Sequence, residues 1–274
     1  MECSFNGTLL NMSQRDDFNH KFKRAVTSNF NVSGEDTDRL EAQCGLFGWL
    51  TKRLLILVPP LQERSILDVG CGTGISTRVI LDSVENNVSI FGVDISRGMI
   101  EKAEARCPEA VFRLGDAELL SHIFSEPFGG VYYTACIFLM PNARKSLTEA
   151  SKIMASGASI AASFMETLEG EEGENIIASA SESHPDLAVK HRKLFPFEEL
   201  YKEFKRLFRN VVNEDVRFKM NRKDAEAFFS IPAQSASLFP GQPLQTRLNK
   251  VEELFQILGR EEYFLHWRLV GGYK

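Results

Sequence analysis

Short β-branched apolar runs alternate with helical stretches from Ser65 onward, and this alternation constrains the fold more than any other feature of the chain. The apolar runs SILDV, VSIFGV and AVFRL are separated by the helical sequences ISTRVILDSV and SRGMIEKAEARC. Further strands are predicted near 130–138 and at 159–164, with a helix over 144–154 between them. Strands that alternate with helices pair as parallel sheets covered by helices on both faces. The pattern therefore predicts a doubly wound α/β fold.

Helical sequence precedes this alternation and returns after it. Residues 1–60 contain two predicted helices, of which the second runs from the candidate N-cap Ser33 to Pro59. After the acidic segment 166–174, a strand is predicted at about 211–219, a mixed helical region at 222–259 and a last strand FLHWRLVGGYK. A predicted helix before that strand places apolar side chains on one face, toward the sheet: Phe197, Leu200, Phe204, Leu207 and Phe208.

The sharpest local signal is ILDVGCGTG at 66–74, in which a strand runs into glycines at 70, 72 and 74 and then into a helix beginning near Ile75. Glycines let a ligand approach the backbone closely, and the start of a helix offers unpaired N–H donors to a carboxylate. Asp94 closes the second strand, where a carboxylate reaches both hydroxyls of a bound ribose. The two features together predict a nucleoside-containing ligand.

The spacing of the glycines separates two families that bind such ligands. The dinucleotide fingerprint requires a glycine at position 75, which is occupied by Ile75, so NAD is disfavoured. The G-x-G-x-G spacing, the acidic residue that ends the second strand and GDAE at 115–118 resemble the class I S-adenosylmethionine-dependent methyltransferases. The resemblance covers residues 60–165 and implies S-adenosyl-L-methionine as the cofactor.

The resemblance also implies a role for each motif residue. Along the chain, these residues would hold first the methionyl group, then the ribose and then the adenine of the cofactor. They are Asp68, Gly70, Gly72 and Gly74 for the methionyl end, Asp94 for the ribose, Ile95 and Met99 against the adenine, and Asp116 with the Ala117 backbone N–H at the adenine edge.

In this family the end of the fourth strand passes the sulfonium, and here it reads GGVYYTACIFLMP. Many relatives have an aspartate where this chain has Gly129, which leaves Tyr133, Thr134 and Ala135 as the residues expected nearest the methyl group. We predict Thr134 as a cofactor contact and Tyr133 as a catalytic residue in contact with substrate. A structural role for Tyr133 as a buried tyrosine stays open.

Histidines and acidic residues offer the other candidates for chemistry. A hydroxyl or thiol acceptor needs a base, and His122, six residues after Asp116, is the candidate for that catalytic role. His184 and His191 lie in a segment expected to cover the site, whereas His266 alternates with Trp267 and is expected to be structural. The acidic run at 166–174 lacks the alternating oxygen ligands of a calcium loop, so we expect no metal.

By this resemblance, the fold is a Rossmann-like seven-stranded sheet with the last strand antiparallel. Residues 1–60 would form an N-terminal helical cap, and residues 61–274 a methyltransferase domain with a lid insertion at about 222–259. The reaction would be an in-line methyl transfer to a small or carrier-linked organic metabolite. Two alternatives are a methyltransferase acting on a protein side chain and a non-catalytic cofactor-binding protein.

Composition restricts the partners and the compartment. The chain carries a net charge of −5 over 274 residues, which disfavours nucleic acid as a partner. Its 5 cysteines are scattered without C-x-x-C spacing, which fits a reducing compartment. The N-terminal sequence has no secretion signal, and VYYTACIFLM at 131–140 is too short to span a membrane. We therefore expect a cytoplasmic protein, with the oligomeric state open.

Overall fold

Seven strands of the computed structural model form one sheet. The structure describes residues 4–5, 8–9, 12–85, 87–125, 127–189 and 193–274. Two short strands, β1 (Ser4–Phe5) and β2 (Thr8–Leu9), pair with each other. The sheet contains β3 (Ile66–Val69), β4 (Ile90–Asp94), β5 (Val111–Leu114), β6 (Phe128–Tyr133), β7 (Met154–Glu169), β8 (Arg209–Asn221) and β9 (Glu262–Tyr273).

The strand order is β5-β4-β3-β6-β7-β9-β8. Strands β3 to β7 pair in parallel, and β9 runs antiparallel to both of its neighbours, β7 and β8. The predicted seven-stranded sheet with an antiparallel last strand is therefore confirmed. Strands β4 and β5 lie on one side of β3, and the chain then continues on the other side of β3 with β6. A crevice therefore lies outside the carboxyl ends of β3 and β6.

Twelve α-helices connect and cover the strands in the described ranges. They are α1 (Met12–Phe30), α2 (Gly34–Cys44), α3 (Leu46–Leu57), α4 (Ile75–Ser83), α5 (Arg97–Arg106), α6 (Leu120–Ile123), α7 (Ala143–Lys152), α8 (Ile176–Ser183), α9 (Phe197–Leu207), α10 (Arg222–Ser230), α11 (Pro232–Leu238) and α12 (Leu244–Leu258).

The long helix predicted from Ser33 to Pro59 is wrong in one respect, because it is two helices. Gly45 adopts φ +68°, the left-handed conformation that ends α2 and starts α3. Ser33 does precede α2, but its hydroxyl makes no capping bond to that helix. The hydroxyl instead donates to the Asn29 carbonyl at 2.8 Å and accepts from the Ala233 backbone N–H at 3.2 Å. Ser33 thus joins the N-terminal helices to α11.

The two faces of the sheet pack against different helices. On one face, Trp267 and Tyr132 lie in a core shared with α3, α10 and α12. On the other, Phe164 packs against Phe197 and Phe204 of α9 and against α7. Because successive strand residues point to opposite faces, Tyr132 and its neighbour Tyr133 belong to different cores.

We use the term cap for α1, α2 and α3 together with α10, α11 and α12, which pack on one another across the carboxyl edge of the sheet. Arg247 of α12 is buried and bonds both the Asn29 side-chain oxygen, at 3.0 Å, and the Pro232 carbonyl, at 3.2 Å. The two helical segments that the sequence places outside the alternating core are therefore in contact with each other.

The described residues contain no helix that is both long enough and apolar enough to cross a membrane. Four cysteines within them, Cys44, Cys71, Cys107 and Cys136, are free thiols.

Candidate active site

A cavity lies between the carboxyl edge of the sheet and the cap. Eight of the ten predicted cofactor residues line it, namely Gly70, Gly72, Asp94, Ile95, Met99, Asp116, Ala117 and Thr134. The cap supplies the opposite wall with Lys23, Val26, Phe30, Thr37, Phe47, Ile231 and Gln234. Residues from distant parts of the sequence thus enclose one space at the crevice.

The three predicted glycines have different structural roles in the loop after β3. All three have positive φ, which disfavours any other residue. A Cβ at Gly70 would lie 2.7 Å from Cys136 Cβ, whereas a Cβ at Gly72 would meet no protein atom within 4 Å because it would point into the cavity space. Gly74 does not line the cavity, and its Cβ would lie 3.0 Å from Ala103 Cα. Gly74 therefore lets α4 approach α5, and the geometry gives it no direct place at the predicted methionyl site.

Asp94 ends β4 and ties the glycine loop to the next helix. Its Oδ2 accepts a hydrogen bond from the Gly72 backbone N–H at 3.0 Å, and its Oδ1 accepts one from the Ser96 N–H at 2.8 Å. Burial raises the pKa of the Asp94 carboxyl, and these backbone donors partly offset that rise. Each carboxylate oxygen keeps a lone pair for a further donor.

Asp68 does not line the cavity, although it was predicted to hold the methionyl group. It is fully buried behind the loop, where its Oδ2 accepts from Ser76 Oγ at 2.6 Å and from Thr77 Oγ1 at 2.7 Å. Its other oxygen, Oδ1, has no hydrogen-bond partner in the described structure. Burial raises the pKa of Asp68 to about 6, against the hydroxyl bonds that lower it.

We predict that Asp68→Asn makes the ligand-free protein more stable at neutral pH. Because the folded pKa of about 6 exceeds the ordinary 3.8, ionisation of Asp68 opposes folding fully above pH 6 and not at all below about pH 4. The shift corresponds to about 3 kcal/mol. Urea unfolding of both proteins from pH 4 to 8 should show the stability difference growing as pH rises. A difference that does not change with pH would contradict the assignment.

The predicted adenine end combines an apolar surface with a charged edge. Ile95 and the buried Met99 present the apolar surface. Asp116 Oδ1 accepts from the Glu118 N–H at 2.9 Å, while Lys23 Nζ of α1 lies 2.7 Å from both Asp116 Oδ2 and Glu118 Oε2. Burial lowers the pKa of Lys23, but the two carboxylates outweigh it and raise the pKa above its ordinary value. A charged lysine from the cap therefore closes this end of the cavity.

The far end of the cavity is formed where β6 stops. Thr134 Oγ1 lies 3.3 Å from Thr51 Oγ1 of α3, which joins the sheet edge to the cap. Ala135 adopts φ +53°, a strained conformation for a residue with a side chain, and its N–H donates to Ser163 Oγ at 2.8 Å. The strand thus turns sharply away at the cavity wall.

Comparison with known proteins agrees with this geometry. Residues 66–157 match the family described as "Methyltransferase domain". These residues form a methyltransferase domain. They contain the glycine loop, Asp94 and Asp116, so the predicted resemblance to class I methyltransferases is confirmed over these residues.

Individual relatives of the methyltransferase domain match parts of their own lengths. The chain is 28% identical over 145 residues to aklanonic acid methyltransferase of Streptomyces sp. strain C5, covering 51% of this chain and 64% of that protein. It is 27% identical over 119 residues to trans-aconitate 2-methyltransferase of Rhodopseudomonas palustris, covering 43% and 45%. Among solved structures, Haemonchus contortus phosphoethanolamine N-methyltransferase 2 with S-adenosylhomocysteine aligns with TM-score 0.51 and 15% identity, over 82% of this chain and 52% of that one.

The residues of the methyltransferase domain fit this cofactor. Gly72 faces space that a Cβ would fill, and Asp94 retains lone pairs for hydroxyl donors. Ile95 and Met99 offer a flat apolar surface to a purine. The site therefore provides polar and apolar groups of the types that a sulfonium nucleoside with an amino-acid tail requires.

Tyr133, predicted as catalytic, lies outside the cavity. Its side chain is fully buried on the face of the methyltransferase domain covered by α7, and its hydroxyl lies 3.0 Å from Ser146 Oγ. Burial raises the pKa of this phenol above its ordinary value. The strand alternation directs Tyr133 away from the ligand, so the structural alternative is the one that the geometry supports.

The predicted base, His122, is also outside the cavity. It is exposed at the end of α6. His184 is exposed, and His191 lies outside the described residues. His266 is structural as expected, with Nδ1 2.7 Å from Glu169 Oε1 and Nε2 2.9 Å from Asp215 Oδ1. Within the described part of the chain, no histidine lines the cavity.

The acidic run at 166–174 forms ion pairs rather than a metal site. Glu169 lies 2.9 Å from Arg217, Glu174 lies 2.7 Å from Arg260, and Glu166 pairs with Lys193. The described residues include no cluster of side chains suited to a metal ion.

Sequence reasoning missed the individual cap residues at the cavity, above all Lys23 and Gln234. Neither Lys23 nor Gln234 belongs to a motif. Lys23 contacts Asp116, which lies 93 positions away in the sequence. The available signal was indirect: the apolar run GLFGWL at 45–50 needs a partner surface, and Phe47 from this run does line the cavity.

Proposed function

We propose that this protein transfers the methyl group of S-adenosylmethionine to a small organic acid held beneath the cap. The observation that carries the proposal is the cavity itself, which combines the cofactor-binding loop with an enclosing, largely apolar cap wall and no free base. Aklanonic acid and trans-aconitate, for which the two relatives above are named, are both acids.

The methyltransferase domain would hold the cofactor with Asp94 at the ribose, Ile95 and Met99 at the adenine, and the Gly70–Gly72 backbone at the amino-acid tail. When bound, S-adenosylmethionine supplies a methyl group on a positively charged sulfur. The task of the protein is to align the acceptor with that group and to exclude water. Phe30, Phe47 and the rest of the cap wall supply the exclusion.

An acid is favoured because the carboxylates, the lysine and Cys136 at the cavity are already engaged. Asp94 accepts from two backbone N–H groups, and Lys23 pairs with both Asp116 and Glu118. Cys136 donates to the Val69 carbonyl at 3.0 Å, and burial raises the pKa of its thiol well above the ordinary value. An alcohol or phenol would need one of these groups to remove its proton. A carboxylate arrives without that proton.

We also propose that residues 1–60 and 222–259 act as a lid. The Ser33–Ala233 and Arg247–Asn29 bonds join the two segments, and both segments line the cavity. Hydrogen exchange within residues 16–50 and 222–259 should slow on addition of S-adenosylhomocysteine. Exchange that slows only in the loop after β3, with full activity after deletion of residues 1–32, would refute the lid.

Two other functions are less well supported by the arrangement. A protein side chain would require an open cleft, whereas here the cap lies across the crevice. A non-catalytic cofactor-binding protein would have no need of space beyond the cofactor residues. A label-transfer assay separates this second alternative from an enzyme.

The test has two stages on the purified protein. Calorimetry should first show saturable binding of S-adenosylmethionine and S-adenosylhomocysteine. Tritium should then pass from methyl-labelled S-adenosylmethionine to members of a panel of C4–C10 carboxylic acids that includes trans-aconitate. Base-labile products that release volatile methanol identify methyl esters. Binding without transfer to any acid, alcohol, amine or thiol in the panel would favour the non-catalytic alternative.

A further inference from the structure

Gln234 presents an unused amide to the cavity. It lies in α11 on the cap wall, and it is 9% exposed. Neither its side-chain carbonyl nor its side-chain NH₂ group has a hydrogen-bond partner among the described residues. The amide atoms are not fully shielded from solvent, so they are free to bind a ligand that enters the cavity.

The other polar side chains on the cap wall are occupied. The Thr37 hydroxyl donates to the Ser33 carbonyl at 2.9 Å, and Lys23 lies between Asp116 and Glu118. The remaining neighbours on this wall are apolar, namely Val26, Phe30, Phe47 and Ile231. In the part of the chain that the structure describes, Gln234 is therefore the one polar side chain of this wall with no hydrogen bond or ion pair.

Several bonds hold α11 in place. Pro232 stands at its first turn, the Ala233 N–H donates to Ser33 Oγ, and the Pro232 carbonyl accepts from Arg247. These contacts involve the two residues that precede Gln234 but not its side chain. The amide is thus carried on a supported helix, as a residue that orients a substrate needs to be.

We propose that Gln234 is the residue that orients the methyl acceptor, with its Nε2 group donating to the non-reacting oxygen of the acceptor carboxylate. This inference rests on the proposed function, and it adds the side chain that binds and orients the methyl acceptor. A neutral amide suits this task because it binds one carboxylate oxygen without neutralising the charge on the other. A lysine or arginine would pair with the whole group and make it a weaker nucleophile.

The chemical step then needs no proton transfer. A bond forms between the free carboxylate oxygen and the methyl carbon, while the bond from that carbon to sulfur breaks and its electron pair stays on sulfur. An anion and a cation become a neutral ester and a neutral thioether. Because the cap wall is largely apolar, this loss of charge is favoured over its retention.

The test compares Gln234→Met with a matched control, Gln245→Met. Methionine keeps the length of the side chain and removes both polar groups. Gln245 is exposed on α12 and does not line the cavity. Each protein is assayed with the acid panel and with the corresponding primary alcohols and amides, and binding of S-adenosylhomocysteine is measured by calorimetry.

We expect Gln234→Met to raise KM for the preferred acid about 10-fold or more, the effect of losing a hydrogen bond to a charged group. The affinity for S-adenosylhomocysteine should stay within twofold, and Gln245→Met should change neither quantity. Gln234→Glu should lose more than Gln234→Met, because its carboxylate repels the acceptor.

Three results would overturn the inference. One is an unchanged KM in Gln234→Met. Another is an equal loss of S-adenosylhomocysteine affinity, which would assign the amide to the cofactor. The third is methyl transfer to alcohols or amides but to no acid, which would support methyl transfer and exclude an acid as the acceptor. Failure of cofactor binding in the wild type would instead defeat the proposed function itself.

Discussion

Gly72→Val is expected to abolish detectable binding of S-adenosylmethionine while leaving a folded protein. Gly72 has φ +53°, where a β-branched side chain costs at least about 1–2 kcal/mol. The more important effect is spatial, because a Cβ at this position meets no protein atom within 4 Å and would stand in the space of the cavity. The valine would therefore occupy volume that the cofactor needs.

Gly157→Val is the matched control for this experiment. Gly157 also has a positive φ, +78°, and its Cβ would also meet nothing within 4 Å. It is exposed near the start of β7, at the end of the sheet opposite the cavity. Both variants should lose similar stability in thermal unfolding, and only Gly72→Val should lose binding in calorimetry. Equal affinity in the two variants would mean that the loop is only a structural turn.

The sheet could be predicted because its signal is repeated along the chain. Five predicted strands and the three predicted helices between them support the same topology, so an error in one boundary leaves that topology intact. The helix from Ser33 to Pro59 has no such redundancy. A single glycine in the left-handed conformation, Gly45, divides this helix into two. The sequence alone does not show whether a glycine within a helical pattern ends the helix.

Most of the predicted cofactor residues line the cavity, but the glycine motif itself divides. Gly70 and Gly72 reach the cavity, while Asp68 and Gly74 in the same motif face the protein interior, since the backbone turns between them. The direction of the Tyr133 side chain was difficult to predict for a related reason. Whether the last residue of a strand or the first residue after it reaches the ligand depends on where pairing stops, and sequence defines that boundary poorly.

The cap wall could not be derived from sequence because its residues meet only in the folded chain. Lys23 lies 93 residues from Asp116, and Arg247 lies 218 residues from Asn29. A lysine on an amphipathic helix is ordinarily a solvated side chain, and nothing near Gln234 distinguishes it from an exposed glutamine such as Gln245. Lys23 and Gln234 become candidate site residues only because the folded chain places the cofactor-binding residues across the cavity from them.

Asp94→Ala is expected to lower the affinity for S-adenosylmethionine about 10–150-fold, the effect of losing charge-assisted hydrogen bonds worth roughly 1.5–3 kcal/mol. The variant also releases the Gly72 N–H, so a loosened loop is a competing explanation for any loss. A second ligand separates the two causes. If Asp94 binds the ribose, S-adenosylhomocysteine should lose affinity in the variant, whereas its 2′,3′-dideoxy analogue should bind wild type and variant almost equally. Equal losses for both ligands would show that Asp94 acts through the loop and not on the ribose.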